Sequence, residues 1–357
     1  MKKTKLDLNT IKKLDKSDML KLLMDFPGQC RAALDIGKKA ELLFKNKDFK
    51  KIAFAGLGGS AIGADLVKSY LYFEGALPIT VIREYDLPGY VDDSTLLFVS
   101  SYSGNTEETL SAYAQSREKG ATVIAVSSGG KLKELALKDK VTFIQIPANQ
   151  PPRTALGYMS IIPLLAMEKL GLVKEVASRV NLAIKVLEEL RDKSLDARIA
   201  SQDNIAKTAA LELFNRFTVI YSGSIYFDVC AVRLRGQLAE NSKALASSHV
   251  FPEMNHNEIV GWQNPAKLFR DFTVVLLRDT KMHPRVAKRM DITGEIIRKG
   301  GVRLLEIWPR GEDLLSRILS VIYIGDFISF YLAILYGIDP TPVERVTYLK
   351  ERLSQAE

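Results

Sequence analysis

The feature that most constrains the fold is a repeated alternation of short apolar runs with helix-like stretches. In the first half, the apolar runs at residues 52–55, 96–99 and 122–126 each lead into glycine or serine, and helix-like segments lie between several such runs. Continuous apolar runs of this length are typical of strands that are covered on both faces, as in parallel sheets flanked by helices. The pattern predicts an α/β fold with a mainly parallel, doubly wound sheet.

The alternation stops over a long helical region and then resumes, so the chain carries the pattern twice. Strand-like runs return at residues 219–222, 272–277 and 302–307, and the first of them leads into Gly223. A chain of 357 residues also exceeds one ordinary domain. We therefore predict N-terminal helices over residues 1–50, a first sheet domain over 51–170, a helical connection over 171–210, and a second sheet domain with a C-terminal helix over 211–357.

Composition argues against several functional classes. Lys and Arg total 50 against 42 for Asp and Glu, and the net charge of +8 is dispersed along the chain. Without a basic stripe, nucleic-acid binding is not expected, whereas a small anionic ligand is compatible with this charge. The chain has two cysteines and three histidines and neither a CxxC nor an HExxH motif. These counts disfavour a metal site and indicate a reducing compartment.

One late segment is apolar enough to raise the question of a membrane. Residues 318–338 are apolar but are interrupted by Asp326 and by two glycines, which favours a buried core helix over a membrane span. The N-terminal segment is charged and lacks the apolar stretch of a signal peptide. We expect a cytoplasmic protein that does not act at a membrane.

A glycine-rich loop follows the first predicted strand. Residues 56–60, GLGGS, open a helix, and glycines there let backbone N–H groups approach an anion at the helix N-terminus. The same residues fit a turn that only packs a helix against a sheet. Together with Ala61 they also fit a Gly-x-Gly-x-x-Ala pattern, so an oxidoreductase that binds a dinucleotide, with Glu84 on a ribose, stays an alternative.

A second loop is rich in hydroxyl groups. Residues 100–109, SSYSGNTEET, place Ser101, Ser103 and Thr106 around one turn between a strand and a helix. Such a cluster suits phosphate, which accepts many hydrogen bonds. The alternative is a helix cap formed by Ser103 or Asn105, but a cap needs one such residue and several are present. Both loops would lie at the carboxyl ends of strands, where ligands of α/β sheets bind, so we favour a phosphate site.

Polar segments of the second half are candidates for acid–base chemistry. Glu240 lies at the end of a predicted helix, before a stretch predicted to be irregular. Residues 253–262, EMNHNEIVGW, place His256 between two asparagines, and this density of polar groups is unusual for a core segment. Arg153 precedes a helix and Lys350 lies in the last helix, and on their own both fit ordinary surface roles.

Together, these residues resemble the bifunctional phosphoglucose/phosphomannose isomerase family. The GGS and SxSGNT loops are similar to those of the sugar isomerase (SIS) domain, and the segment 253–262 is similar to one specific to this family. The resemblance covers about residues 26–350 and implies two SIS domains. It further implies that the protein interconverts glucose 6-phosphate, or mannose 6-phosphate, with fructose 6-phosphate through a cis-enediolate, without a metal or cofactor.

The resemblance also implies roles for the candidate residues. Glu240 would move the proton between C2 and C1, and Arg153 would stabilise the enediolate. His256, supplied by the partner subunit of a homodimer, would assist ring opening together with Lys350. The implied phosphate ligands are Gly59, Ser60, Ser101, Ser103 and Thr106. A threonine near the start of the last helix would accommodate mannose, and the two candidates are Thr341 and Thr347.

Two other classes compete with an isomerase. A regulatory protein could bind a sugar phosphate through the same loops, but the N-terminal 50 residues contain no basic recognition helix for DNA. A dinucleotide-dependent oxidoreductase would account for the glycine-rich loop but not for the hydroxyl-rich one. Turnover of sugar phosphates without added nucleotide indicates an isomerase, binding without turnover a regulator, and a change in nicotinamide absorbance an oxidoreductase.

Overall fold

The structure is a computed structural model that describes residues 3–44 and 47–355, and it divides into two compact units. The N-terminal sheet unit comprises residues 25–188 and 310–320. The C-terminal sheet unit comprises the described residues of 1–24, 189–309 and 321–357. Each unit thus combines segments that are far apart in sequence. The predicted domains at 1–50, 51–170, 171–210 and 211–357 are contiguous, and as domains they stay a prediction.

The N-terminal sheet unit contains a parallel sheet of five strands in the order β2-β1-β3-β4-β5. Strands β3 and β4 are buried along their whole length, as their continuous apolar sequences predict. The strands are β1 (Lys51–Ala55), β2 (Ile79–Ile82), β3 (Thr95–Ser100), β4 (Thr122–Ser127) and β5 (Thr142–Gln145).

The C-terminal sheet unit contains a parallel sheet of four strands in the order β7-β6-β8-β9. This order repeats that of the first four strands of the other sheet, with the second strand of each set at an edge. The predicted α/β fold with two parallel, helix-flanked sheets is confirmed. The strands are β6 (Phe217–Gly223), β7 (Ala246–Phe251), β8 (Phe272–Leu277) and β9 (Arg303–Ile307).

Helices flank both sheets, and short 3-10 turns occur at Pro152–Thr154, Glu253–His256 and Ala266–Asp271. The α-helices are α1 (Leu8–Leu14), α2 (Met19–Met24), α3 (Phe26–Lys39), α4 (Gly58–Tyr70), α5 (Glu107–Glu118), α6 (Gly130–Lys138), α7 (Leu156–Lys169), α8 (Val176–Leu190), α9 (Ile205–Leu213), α10 (Asp228–Ser242), α11 (Glu258–Gly261), α12 (Pro284–Lys299), α13 (Leu314–Tyr336) and α14 (Glu344–Leu353).

Strand β7 corrects one expectation from the sequence, because the stretch after α10 was predicted to be irregular. Its sequence, ASSHVF, contains small polar residues that are weak strand formers. Parallel pairing with β6 orders it, and the register places His249 beside Tyr221. Tertiary pairing thus overrides a weak local preference.

Helix α13 is the one helix among the described residues that is long and apolar enough to cross a membrane. Its apolar window is completely buried within the protein, as the sequence predicted for a core helix. Asp326 on this helix is also buried, and its Oδ2 lies 2.6 Å from Nη2 of Arg233 on α10. A buried carboxylate is tolerated here because a guanidinium compensates it.

Candidate active site

The strand order of the N-terminal sheet brings two loops together. Strand β2 lies on one side of β1, whereas β3, β4 and β5 follow on its other side, so the strand order changes direction between β1 and β3. Ligands of open α/β sheets bind at the carboxyl ends of the strands at such a switch point. The glycine loop (residues 56–60) follows β1, and the hydroxyl loop (residues 101–106) follows β3. A Cβ atom on Gly56 would lie 2.6 Å from the Ser100 carbonyl oxygen, so the glycine loop packs against the end of β3, where the hydroxyl loop begins.

The glycine loop leads into the N-terminus of α4. Gly58 has a φ of +51°, a left-handed conformation that glycine adopts without strain. At the N-cap, Leu57 is extended, and within the described residues no side chain caps this helix. Ser60 is buried in the first turn. The first N–H groups of α4 therefore have no side-chain acceptor at the cap, which is the arrangement that favours an anion.

The hydroxyl loop is internally hydrogen-bonded. The Ser101 Oγ lies 2.8 Å from the Thr106 Oγ1, and the Gly104 N–H donates to the Ser101 Oγ at 3.1 Å. The Asn105 N–H donates to the Ser103 Oγ at 3.2 Å. Thr106 is the N-cap residue of α5, yet within the described residues its hydroxyl makes no capping bond. Neither Ser103 nor Asn105 is therefore the N-cap residue of α5, and the cap predicted as the alternative to a phosphate site does not form.

A loop after β4 braces the hydroxyl loop, a contact that sequence reasoning missed. Gly104 has a φ of +74°, and a Cβ atom there would lie 1.8 Å from the Gly129 carbonyl oxygen. The Leu132 N–H donates to the Gly104 carbonyl at 2.9 Å, and the Lys131 N–H donates to Asn105 Oδ1 at 2.9 Å. Only glycine fits at residue 104, for steric as well as conformational reasons.

The structure brings Arg153 to the glycine loop. Arg153 is buried in the 3-10 turn Pro152–Thr154, and a Cβ atom on Gly59 would lie 2.5 Å from the Pro152 carbonyl oxygen. Tyr102 of the hydroxyl loop is also buried, and its hydroxyl accepts a hydrogen bond from the Gln150 N–H at 3.1 Å. Both loops thus contact the segment that carries the guanidinium. Tyr102 was missed, although it lies in the middle of the hydroxyl motif.

The segment after Arg153 is fixed from a second direction. The Gln29 Nε2 donates to the Thr154 carbonyl at 2.7 Å, and the Gln29 Oε1 accepts from the Gly157 N–H at 2.8 Å. Gln29 is buried on α3. One side chain therefore bonds the end of the turn that carries Arg153 and the first turn of α7, which fixes the backbone directly after Arg153. No local pattern around Gln29 signals this role.

Glu240 lies near the end of α10 in the C-terminal sheet unit and is half-buried. Two other side chains of α10 form hydrogen bonds with α13. The Gln237 Nε2 donates to Asp326 Oδ1 at 3.1 Å, and the Asn241 Nδ2 donates to the Ser329 Oγ at 2.9 Å. Because these bonds fix the rotation of α10, they also fix the direction in which Glu240 leaves the helix. The helix ends at Lys243, which is in a left-handed conformation.

The remaining predicted residues also belong to the C-terminal sheet unit. His256 is exposed at the end of the turn Glu253–His256, and Lys350 is exposed on α14. Thr341 is half-buried before α14, and its N–H donates to Asp339 Oδ1 at 3.0 Å, while Thr347 is exposed on α14. The structure thus groups Arg153 and the phosphate candidates in one unit, and the acid–base candidates in the other.

Within residues 3–44 and 47–355, no three His, Cys, Asp or Glu side chains cluster in a way that could hold a metal ion. The groups gathered at the switch point are hydroxyls and backbone N–H groups, and the turn that carries Arg153 lies against the glycine loop. These groups bind anionic oxygen atoms, and phosphate in particular. The chemistry of this site therefore fits a phosphorylated small molecule.

Comparison with known proteins identifies the family of the chain. Residues 202–353 match the family described as bacterial phospho-glucose isomerase C-terminal SIS domain. A bifunctional phosphoglucose/phosphomannose isomerase from Caldicellulosiruptor bescii is 44% identical over 338 residues, covering 94% of this chain and 99% of that protein. One from Aquifex aeolicus is 34% identical over 312 residues, covering 86% and 91%.

A solved structure supports the fold. A hypothetical protein from Thermus thermophilus superposes with a TM-score of 0.72 at 15% sequence identity, covering 98% of this chain and 94% of that one. At this identity the likeness concerns the fold alone. The sequence relatives, by contrast, match most of the chain at 34–44% identity. The chain belongs to the bifunctional phosphoglucose/phosphomannose isomerase family.

Proposed function

We propose that this protein interconverts glucose 6-phosphate and mannose 6-phosphate with fructose 6-phosphate. The observation that carries the proposal is the close approach of the glycine loop to the end of β3, where the hydroxyl loop begins, in a chain that belongs to this isomerase family. The contact concentrates phosphate-binding groups at one sheet edge. The 6-phosphate is common to the three sugars, so a single such site serves both reactions.

The phosphate is held by the two loops in this proposal. Ser101, Ser103 and Thr106 offer hydroxyl donors. One hydroxyl of the Ser101–Thr106 pair donates its proton in the 2.8 Å hydrogen bond between them, which leaves the proton of the other for the ligand. Gly59 supplies a backbone N–H at the start of α4, and Ser60 supplies a hydroxyl from the same turn. Donors from two directions suit the tetrahedral shape of a phosphate.

Glu240 acts as the base in this proposal. Its carboxylate takes the proton from C2 of the open-chain aldose and returns it to C1, while the hydroxyl proton of O2 is transferred to O1 and the carbonyl shifts from C1 to C2. The cis-enediolate formed in between carries negative charge on its oxygen atoms. Arg153 stabilises this charge, which develops only as the reaction proceeds and is therefore the charge that catalysis must stabilise.

One intermediate accounts for both aldoses. C2 becomes planar in the enediolate, so returning the proton to one face of C2 yields glucose 6-phosphate and to the other face mannose 6-phosphate. We propose that Thr341 or Thr347 shapes the site for the mannose product. Alanine variants of the two threonines, each assayed on both aldose phosphates, should identify which one changes the mannose-to-glucose ratio.

The cyclic sugar must open before the proton moves. We propose that His256 and Lys350 assist ring opening by moving the protons of the ring oxygen and the anomeric hydroxyl. Both side chains are exposed in the isolated chain. In the proposed homodimer, His256 serves the site of the partner subunit.

The decisive experiment is an isomerase assay on both aldose phosphates with product identification, in EDTA and without nucleotide. Glu240→Gln should lose at least about 100-fold in kcat, the lower end of what a general base supplies, and still bind fructose 6-phosphate. Glu212→Gln is the matched control, because Glu212 is a half-exposed carboxylate of the same unit. Binding without turnover in the wild type would indicate a regulatory protein, and a change in nicotinamide absorbance an oxidoreductase.

Subunit mixing tests whether His256 crosses to the partner. Glu240→Gln and His256→Ala are each inactive in this proposal, but a mixed dimer combines an intact Glu240 with an intact His256 at one of its two sites. Random mixing should therefore restore about a quarter of the wild-type activity in a C2 dimer. If His256 serves its own subunit, mixing restores nothing.

We propose a cytoplasmic location for this enzyme. Both cysteines, Cys30 and Cys230, are free and buried, which fits a reducing compartment. The burial of the apolar window of α13 within the protein fits a soluble enzyme. Fractionation of cells that express the protein at its native level tests this location.

A further inference from the structure

A chain of hydrogen bonds holds the segment that carries His256, and the residues that form these bonds have no role in the proposed reaction. Glu258, two residues further on, begins α11, and its Oε2 lies 2.6 Å from His249 Nδ1. Its other oxygen, Oε1, accepts a hydrogen bond from the Tyr221 hydroxyl at 2.5 Å. The Trp262 Nε1 donates to the same Tyr221 oxygen at 3.0 Å.

This chain of bonds is built into the second sheet. Tyr221 is fully buried on β6, and His249 is its register partner on β7. The rings of Tyr221 and Phe251 meet edge to face at 5.9 Å. Burial raises the pKa of Tyr221, so its hydroxyl keeps its proton and stays a donor to Glu258 at physiological pH. The carboxylate is therefore anchored, through both oxygens, to two adjacent strands.

Residues 254–257, which precede Glu258, are also held by burial and hydrogen bonds. Met254 is fully buried, and the Asn255 Nδ2 donates to the Thr293 Oγ1 on α12 at 2.9 Å. The Asn257 Oδ1 accepts from the Glu258 N–H at 2.5 Å. His256 lies between these anchored residues and is exposed. The neighbours on both sides of the imidazole are fixed while the imidazole itself faces outward.

We propose that Glu258, held by Tyr221 and His249, is a positioning residue that sets the place of the His256 imidazole for ring opening. The proposal rests on the role of His256 in the proposed function. A short turn on the protein surface samples many conformations unless contacts order it. Proton transfer needs an imidazole placed within hydrogen-bond reach of the sugar, and a misplacement of about 1 Å can cost about 100-fold in rate.

A test must separate ring opening from the later proton transfer. Fructose 6-phosphate closes its ring through O5, so 5-deoxyfructose 6-phosphate, which lacks that oxygen, stays open. An enzyme with a misplaced His256 should be slow on the first substrate and nearly normal on the second. A general loss of structure would slow both substrates equally.

Glu258→Ala, Tyr221→Phe and the reference His256→Ala are assayed on both substrates, with Glu212→Gln as the control. His256→Ala should lose about 100-fold in kcat on fructose 6-phosphate. Glu258→Ala should lose about ten-fold on that substrate, with KM little changed and less than a two-fold loss on the open-chain analogue. Glu258→Gln should recover most of the loss, because an amide keeps the shape and an acceptor for Tyr221.

Two results would overturn the proposal. An equal loss on both substrates in Glu258→Ala would show that Glu258 only stabilises the fold, and an unchanged kcat would show that His256 does not depend on it. Should Tyr221→Phe fail to fold, Glu258→Ala decides alone, since Glu258 is 38% exposed. If His256→Ala itself slows both substrates equally, the role of His256 in the proposed function is wrong, which is a distinct outcome.

Discussion

Gly59 lies so close to Pro152 that a Cβ atom on Gly59 would come within 2.5 Å of the Pro152 carbonyl oxygen. The approach joins the start of α4, where we place the phosphate, to the turn that carries Arg153. The proposed phosphate site and the residue proposed to stabilise the enediolate are therefore linked by one close backbone contact. A glycine is required here because of the neighbouring backbone and not because of its own φ.

Gly59→Ala should therefore push the turn that carries Arg153 away from the glycine loop. We expect kcat/KM for fructose 6-phosphate to fall at least about ten-fold, because the guanidinium moves relative to the bound phosphate. Gly89→Ala is the matched control, since a Cβ atom there meets no neighbour within 4 Å. Wild-type kinetics for Gly59→Ala would contradict the link between the loop and Arg153.

The hydroxyl pair of Ser101 and Thr106 should govern affinity for the phosphate. We expect Ser101→Ala or Thr106→Ala to raise KM about ten-fold, the value of one hydrogen bond to a charged group. Thr106→Ser keeps the hydroxyl and should stay near wild type. Inhibition by inorganic phosphate should weaken in parallel with KM. Ser178→Ala removes an exposed hydroxyl of the same unit as a control, and equal effects of all variants would exclude a specific phosphate contact.

Removing one partner of the buried ion pair between Asp326 and Arg233 should strongly destabilise its unit. Asp326→Ala leaves the guanidinium buried without its carboxylate, so we expect a loss of about 3–5 kcal/mol in the free energy of unfolding. The Arg303–Glu212 pair has the same 2.6 Å separation but is about half exposed, and Glu212→Ala should cost less than about 1 kcal/mol. Urea denaturation of both variants measures the contrast, and equal losses would contradict it.

Stability at acidic pH should depend on Asp92. A hydrogen bond from Lys51, followed by hydrogen bonds from Ser94, lowers the pKa of Asp92 below its ordinary value of 3.8. A carboxyl group whose pKa is lowered in the folded protein stabilises the folded state at pH values above its ordinary pKa. This stabilisation is lost as the pH falls from the ordinary pKa through the lowered one. Asp92→Asn should therefore reduce the urea midpoint at neutral pH and flatten its decline in acid.

Asp93→Asn is the matched control for this pH profile, because it removes the same charge from the adjacent exposed residue. The difference between the two profiles isolates the contacts that Asp92 makes with Lys51 and Ser94. If both variants give the same profile, the contacts of Asp92 do not contribute to stability in acid.

Local sequence patterns determined the strands other than β7, most of the helices and the two loops at the switch point. Apolar runs of four to six residues are strands wherever helices cover them, so β3 and β4 could be read from their side chains alone. The hydroxyl motif could be located for the same reason, since a ligand loop follows directly from the end of its strand. These features are predictable because residues close together in the sequence specify them.

Tertiary structure decided what depends on residues far apart in sequence. The weak strand β7 forms only beside β6, and the two compact units combine separate segments of the chain. Gln29 reaches Thr154, and Glu258 reaches Tyr221, across 125 and 37 residues. No local pattern encodes such pairs, because the energy of a contact depends on which side chains packing brings together and on how much water it removes from them.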